Sequence, residues 1–227
     1  VGKIAIIIPA YKRPEYTKMC LKSIVKAQKY KDVVFYCVDD GSADGTKELF
    51  EEYNLVGNFV VHPVNKGLRN TIIEFFEDII DKDYDFIGKI DNDVTVPENW
   101  LDDIMKVFEQ TDVDVLSPNV FPSNAAFTLG KKYEDISLYR PSAYVGGLWF
   151  MKKDLIKDIN FEKFDLLGIA GAFSILDQIR IEKEPKIGWL TSVTFQDVGH
   201  WSGQHPKNIK TGEHVMYYNE VGRTTDW

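Results

Sequence analysis

Apolar and polar positions alternate in blocks through the first half of the chain. Ile4 to Ile8 is unbroken and mostly β-branched, the pattern of a parallel strand covered on both faces. Pro14 opens a stretch whose small or apolar residues Tyr16, Met19, Cys20, Ser23, Ile24 and Ala27 recur every three or four positions, one face of a helix. Val33 to Val38 reads as a second buried strand, and Thr46 to Tyr53, with Leu49, Phe50 and Tyr53 on one side, as the next helix. The cycle continues with strand Phe59 to Val61, helix Leu68 to Ile80 and strand Phe86 to Ile90. A helix from Pro97, carrying Leu101, Ile104, Met105 and Phe108, then leads into strand Val113 to Leu116. These four strand–helix cycles predict an α/β fold with a doubly wound, mostly parallel central sheet, whose ligands bind beyond the carboxyl ends of the strands.

After Ser117 the rhythm changes. Pro118 to Pro141 reads as loop, Tyr144 to Met151 as strand, Gly171 to Lys183 as helix, Ile187 to Leu190 and Val193 to Phe195 as short strands, and Glu213 to Val221 as a terminal helix. This smaller half is α+β in character. No Gly/Ser/Pro-rich linker divides 1–117 from 118–227, so the expectation is one domain over 1–227.

Charge narrows the partners. Lysine and arginine total 27 against 35 acidic residues, a net charge of -8, which argues against a general grip on nucleic acid or an anionic membrane surface. The apolar runs are too short to span a bilayer, and the expected location is the cytoplasm, or a peripheral position at a membrane. Cys20 and Cys37 stand alone, with neither a disulfide framework nor thiolate zinc spacing, and read as small buried hydrophobes.

The turns at the strand ends decide the ligand. No glycine lies between Gly2 and Gly41, so the turn after the first strand is neither a dinucleotide fingerprint nor a P-loop. It reads Pro9-Ala10-Tyr11-Lys12-Arg13-Pro14 instead, and the second strand ends in Asp39-Asp40-Gly41-Ser42. A carboxylate there accepts hydrogen bonds from a nucleobase N–H or a ribose hydroxyl, or else makes a turn or caps the helix near Thr46. The fourth strand ends in Lys89-Ile90-Asp91-Asn92-Asp93, and two aspartates two positions apart offer hard oxygens to Mg²⁺ or Mn²⁺, completed by diphosphate oxygens and water.

With these blocks in this order the chain resembles the family 2 glycosyltransferases, which have the GT-A fold and transfer a sugar from a nucleotide-diphosphate donor. The resemblance rests on Ile6 to Pro14, Val38 to Ser42, Asn65-Lys66-Gly67 with Arg69-Asn70, and Asp91-Asn92-Asp93. It implies that 1–117 binds the donor and 118–227 lies on the acceptor side. Asp40 would accept the base N–H with Asp39 beside it, and Pro9, Ala10, Tyr11 and Arg13 would line base and ribose. Lys66, Gly67 and Asn92 would approach the nucleotide, Asp91 would meet ribose or metal, and Asp93 would ligate the metal. In the second half it implies Gly146 and Gly147 at the acceptor loop, Asp177 as general base and His200 as a further metal ligand.

Several of these residues have blander alternatives. Asp177 stands three residues before Arg180, the spacing of a surface helix pair, and Leu176 departs from the family pattern around it. Trp149 and Trp201 either stack on a sugar face or pack internally. His200 lies in a loop after a strand, where a neutral imidazole completes a metal shell or is simply solvated.

The expected activity is therefore inverting sugar transfer from a nucleotide-diphosphate donor, UDP-sugar favoured, with Mn²⁺ or Mg²⁺ and an aspartate base. The acceptor is left open between a saccharide, a lipid carrier, a protein and a modified nucleic-acid base. A non-catalytic nucleotide-sugar or carbohydrate-binding module is the alternative. A sugar-phosphate nucleotidyltransferase is disfavoured by the missing glycines after strand one.

Overall fold

The structure is a computed structural model that describes residues 2–55, 57–121, 127–133, 136–141, 148–161 and 172–198. The first half adopts the predicted cycle: β1 (Ile4–Ala10), α1 (Pro14–Ala27), β2 (Val33–Asp39), α2 (Thr46–Tyr53), β3 (Gly57–Val61), α3 (Leu68–Ile79) and β4 (Phe86–Lys89). Then come the two-residue β5 (Val94–Thr95) and α4 (Trp100–Gln110). β1 lies between β2 and β4, parallel to both, and β3 pairs parallel with the outer side of β2.

Alternation along β1 divides the core. Ile4, Ile6 and Ile8 join Cys20, Leu21 and Ile24 of α1 and Trp100, Ile104 and Met105 of α4 on one face. Ala5 and Ile7 meet Ile72, Phe75, Phe76 and Ile79 of α3 on the other. Every residue of β1 is buried, which is why its sequence carries no polar alternation. α4 begins at Trp100 rather than at Pro97. Asn99 takes the left-handed conformation that its short amide side chain tolerates, and its carbonyl accepts the Asp103 N–H at 3.0 Å.

The second half departs further from expectation. It contains β6 (Val115–Phe121), β7 (Phe127–Tyr133), β8 (Ile136–Pro141), β9 (Trp149–Lys152), a 3-10 turn at Lys153–Ile156, α5 (Ala172–Lys183) and β10 (Ile187–Asp197). Pro118 to Pro141 is thus not a loop: β6 runs through Phe121, and β7 and β8 pair antiparallel. Their register shifts between Leu129 and Lys132, which breaks the period-two signal that would have marked them. The two short strands expected at 187–195 are one strand, β10, with a register shift between Leu190 and Thr194. The terminal helix expected at Glu213 to Val221 lies outside the described residues.

One sheet, in the order β3-β2-β1-β4-β9-β6-β10-β8-β7, runs through both halves. β9 is antiparallel to both β4 and β6 and separates them, although these two are successive strands of the strand–helix cycle. α5 supplies Ile175, Leu176 and Ile179 to the α3 face. Among the described residues no helix is long and apolar enough to cross a membrane.

Candidate functional site

Two turns meet at the carboxyl ends of β1 and β2. Lys12 and Arg13 are both left-handed, with φ of 57° and 61°, a conformation that costs non-glycine residues energy and is held here by cross-links. The Lys12 N–H donates to Ser42 Oγ at 2.8 Å, and the Asp40 N–H donates to the Ala10 carbonyl at 2.8 Å. Pro14 then starts α1 at its first position, where a missing N–H costs nothing. Pro9 and Ala10 are buried and form the floor, while Tyr11 and Arg13 are half-buried at the rim. The Arg13 guanidinium lies 4.7 Å from the centre of the Tyr16 ring.

The two aspartates after β2 have different tasks. Asp39 Oδ1 accepts the Ser42 N–H at 2.9 Å, and its second oxygen has no hydrogen-bond partner among the described residues. Asp40 is completely buried. Its Oδ1 accepts the Lys66 N–H at 2.9 Å and faces His62 Nδ1 at 2.7 Å, while its Oδ2 accepts the Gly67 N–H at 2.8 Å. The carboxylate expected to receive a base N–H is therefore enclosed and already carries three donors. It anchors the loop between β3 and α3; Asp39 is buried as well, at 2% exposed, so what sets Asp40 apart is that both of its oxygens are engaged by this loop. Gly41 makes the close approach feasible: with φ of +77° it passes so near this loop that an added Cβ would stand 2.6 Å from the Val64 carbonyl carbon. In the same loop, Asn65 Nδ2 is buried without a partner among the described residues.

At the end of β4 each aspartate meets a cation. Asp93 Oδ2 lies 2.9 Å from Arg13 Nη1, with both side chains 16% exposed. Asp91 Oδ1 accepts from Nζ of Lys89, a lysine with no exposed surface. Burial pushes the Asp91 carboxyl above its usual range; Lys89 opposes this, Asp93 adds to it, and Arg13 opposes it more weakly. Asn92 turns into the fold. It is buried, and its Nδ2 donates to Thr17 Oγ1 at 2.8 Å, so the side chain expected at the nucleotide instead fastens this turn to α1. The Val198 N–H donates to the Asp93 carbonyl at 2.8 Å, and Val94 and Thr95 pair with Asp197 and Gln196, so the end of β10 is tied to the aspartate turn.

Asp91 and Asp93 fit a divalent ion as a partial ligand set. Both offer hard oxygens from one turn, and among the described residues no group of three or more His, Cys, Asp or Glu forms a closed cage. Such a pair suits Mg²⁺ or Mn²⁺ that draws its remaining ligands from diphosphate and water. His200, Trp201, Gly146 and Gly147 lie outside the described residues.

Trp149 is fully buried beneath α3, with its ring centre 6.1 Å from that of Phe76, so it packs the core and presents no face to a sugar. Asp177 sits on α5 with its side chain 15% exposed and Oδ1 3.5 Å from Arg180 Nη2, the helix pairing that its spacing allowed. Sequence reading passed over His62, Glu74 and Gln178. Gln178 is fully buried beside Asp177 and donates to the Asn160 carbonyl. Lys89, given no role of its own by the sequence, left a local sign as a charge closing an otherwise apolar strand.

Comparison with solved structures places this architecture among GT-A glycosyltransferases. Staphylococcus aureus TarS 1–349 in complex with UDP superposes with a TM-score of 0.66 at 17% identity, covering 86% of this chain and 60% of that one. A mannosyltransferase from Pyrobaculum calidifontis, in complex with GDP-Man and Mn²⁺, matches with a TM-score of 0.62 at 15% identity, covering 97% and 64%. At such identities the likeness concerns the fold. The family itself is given by sequence: the model for glycosyl transferase family 2 matches residues 5–178, and the chain belongs to that family. It is 28% identical over 120 residues to glycosyltransferase GlyG of Streptococcus pneumoniae serotype 4, covering 52% of this chain and 39% of GlyG. It is 26% identical over 176 residues to glycosyltransferase AglE of Haloferax volcanii, covering 69% of this chain and 54% of AglE. The chain thus spans about half or less of the length of these curated relatives.

Proposed function

We propose that this chain is the donor-binding and catalytic part of an inverting glycosyltransferase that takes its sugar from a nucleotide-diphosphate donor, UDP-sugar favoured. The observation that carries the reading is the convergence of Arg13, Asp39, Asp91 and Asp93 at the carboxyl ends of β1, β2 and β4, in a chain of family 2. UDP is favoured because TarS and the transferase GalNAc-T7 have been solved with UDP, and TarS with UDP-GlcNAc. The mannosyltransferase with GDP-Man keeps guanine open as the second choice of base.

In this reading Asp39 takes the role first expected of Asp40. Its second oxygen accepts the base N–H, while Asp40 holds the Lys66–Gly67 loop against the nucleotide. Tyr11 and Arg13 border base and ribose above the buried Pro9 and Ala10. Asp91 and Asp93 hold Mn²⁺ or Mg²⁺, which when bound supplies charge neutralisation at the diphosphate leaving group. His200 is proposed as a further ligand, reached through the tie between β10 and the aspartate turn.

Asp177 is proposed as the general base that removes the acceptor hydroxyl proton, on the side of the anomeric carbon opposite the leaving group, so that configuration inverts. Gly146, Gly147 and Trp201 are proposed on the acceptor side. The acceptor class stays open between a saccharide, a lipid carrier, a protein and a modified nucleic-acid base.

The test is calorimetry with UDP, GDP and dTDP in Mn²⁺, then nucleotide release from the matching nucleotide sugar with and without saccharide acceptors. Binding accompanied by acceptor-dependent release supports the transferase. Binding without any release, across acceptors, would favour the non-catalytic module. No binding to any of the three would defeat the donor-site reading.

A further inference from the structure

His62, just beyond β3, is enclosed between two carboxylates from different elements. Its Nδ1 lies 2.7 Å from Asp40 Oδ1 at the end of β2, and its Nε2 lies 3.0 Å from Glu74 Oε2 on α3. Carboxylate oxygens only accept, so a hydrogen on either ring nitrogen is directed at one of them. The other Glu74 oxygen, Oε1, accepts from Lys66 Nζ at 2.6 Å. Lys66 in turn gives its backbone N–H to Asp40. The chain Asp40–His62–Glu74–Lys66 therefore closes on itself around the loop 62–67. Asp40 and His62 lie inside, and Glu74, 41% exposed, forms the outer end.

A buried carboxylate with only two backbone donors could turn about its Cβ–Cγ bond and present its oxygens differently. The third donor, His62 Nδ1, removes that freedom, and Glu74 removes the corresponding freedom of the imidazole. Long-range order in the loop thus comes from side chains rather than from a strand ladder. The His62 N–H to Asp39 carbonyl bond at 2.8 Å is where the ladder ends.

We propose that His62 and Glu74 are positioning residues for donor binding: by clamping Asp40 they fix the Lys66–Gly67 backbone and the neighbouring Asp39 carboxylate in the geometry that receives the nucleotide. The inference rests on the reading of this edge as the donor site. Both residues act through Asp40 and Lys66, so the effect falls on affinity and not on the chemical step.

The test compares the parent with His62→Ala, His62→Asn and Glu74→Ala. UDP and GDP affinity is measured by calorimetry in Mn²⁺, below the melting temperature of each variant, with donor KM and kcat alongside. Loss of a buried donor makes a Kd rise of about 10-fold the expected result for His62→Ala. Donor KM should rise in parallel while kcat stays nearly constant. His62→Asn keeps an N–H near the position of Nδ1 and should recover most of the affinity. Amide exchange at Lys66 and Gly67 should quicken in His62→Ala and return towards the parent in His62→Asn. If His62→Ala does not fold, Glu74→Ala carries the test, since Glu74 lies at the surface and its removal loosens only the outer end of the clamp.

Variants that melt lower but bind UDP and GDP as the parent does would overturn the inference and leave the donor-site reading intact. A parent that binds neither nucleotide would overturn both. The two failures are therefore told apart by the parent alone.

Discussion

The Arg13 guanidinium and the Asp93 carboxylate meet at 2.9 Å, joining the turn after β1 to the turn after β4. Arg13 thus sits on the carboxylate that the proposed metal requires, and the two cations compete for one acceptor. The pair is partly exposed and worth about 0.5–1 kcal/mol by analogy with measured surface pairs. Arg13→Ala should therefore bind Mn²⁺ about 2- to 5-fold more tightly when no nucleotide is present. The same variant should bind nucleoside diphosphate more weakly. Manganese titration monitored by electron paramagnetic resonance checks the first effect, and an unchanged titration would show that Arg13 does not compete. Asp93→Ala should lose the Mn²⁺-dependent part of nucleotide affinity altogether.

Acid should act on the same turn. Because burial raises the Asp91 carboxyl, it takes up its proton at a higher pH than an ordinary aspartate, whose value is about 4. Mn²⁺ affinity should accordingly decline as pH falls through a range above that value. Stability has the opposite sign: a raised carboxyl contributes stability that is fully present below the unfolded value and is lost as pH rises through the folded one. Manganese titrations across mildly acidic pH check the first statement. A midpoint at or below the ordinary aspartate range would contradict it.

Asp39 and Asp40 should separate cleanly in mutagenesis. Asp40→Ala leaves two backbone N–H groups and an imidazole without their acceptor in a buried place, so it should cost about 3–5 kcal/mol of stability. Asp39→Asn keeps an oxygen for Ser42 but turns the other acceptor into a donor. It should lower nucleotide affinity by about 1–3 kcal/mol, with little change in melting temperature. Thermal melts and calorimetry on both variants check the division, and a stable Asp40→Ala with impaired binding would reverse it.

The rate distinguishes the two roles open to Asp177. As general base, Asp177→Asn should lower kcat by ~10² or more while donor affinity barely changes. As a mere partner of Arg180 across 3.5 Å it would change stability by under about 1 kcal/mol and the rate hardly at all. Single-turnover transfer with saturating donor decides between them.

The two cysteines should be inert in the folded protein. Burial pushes the Cys37 thiol up to about 12 and raises Cys20 well above its usual value, with nearby Asp93 adding to the effect at Cys20. Almost no thiolate exists at pH 8, and the thiolate is the reactive form. A disulfide reagent should label neither cysteine in the native state and both after denaturation.

The layered α/β core was legible because burial on both faces writes itself as unbroken apolar runs, and amphipathic helices as three-and-four spacing. Ile4 to Ile8 and the apolar faces of α1, α3 and α4 carry that information locally. The placement of the polar blocks at the strand ends was legible for the same reason, since strand ends can be counted along the chain. The chain by itself therefore determined the sheet's first half and the family blocks at its carboxyl edge.

The task of each polar residue there was decided by tertiary structure. Adjacent Asp39 and Asp40 are chemically identical in sequence and both are buried, yet the loop 62–67 occupies both oxygens of Asp40 while Asp39 accepts from Ser42, because successive residues point to opposite faces and meet different neighbours. Asn92 turns inward to Thr17, Trp149 packs on Phe76, and His62 becomes a bridge only because β3 and α3 bring Asp40 and Glu74 to its two nitrogens. The insertion of β9 between β4 and β6 was hidden for a related reason: strand pairing depends on contacts between residues far apart in sequence, and local periodicity does not record which edge a strand will find.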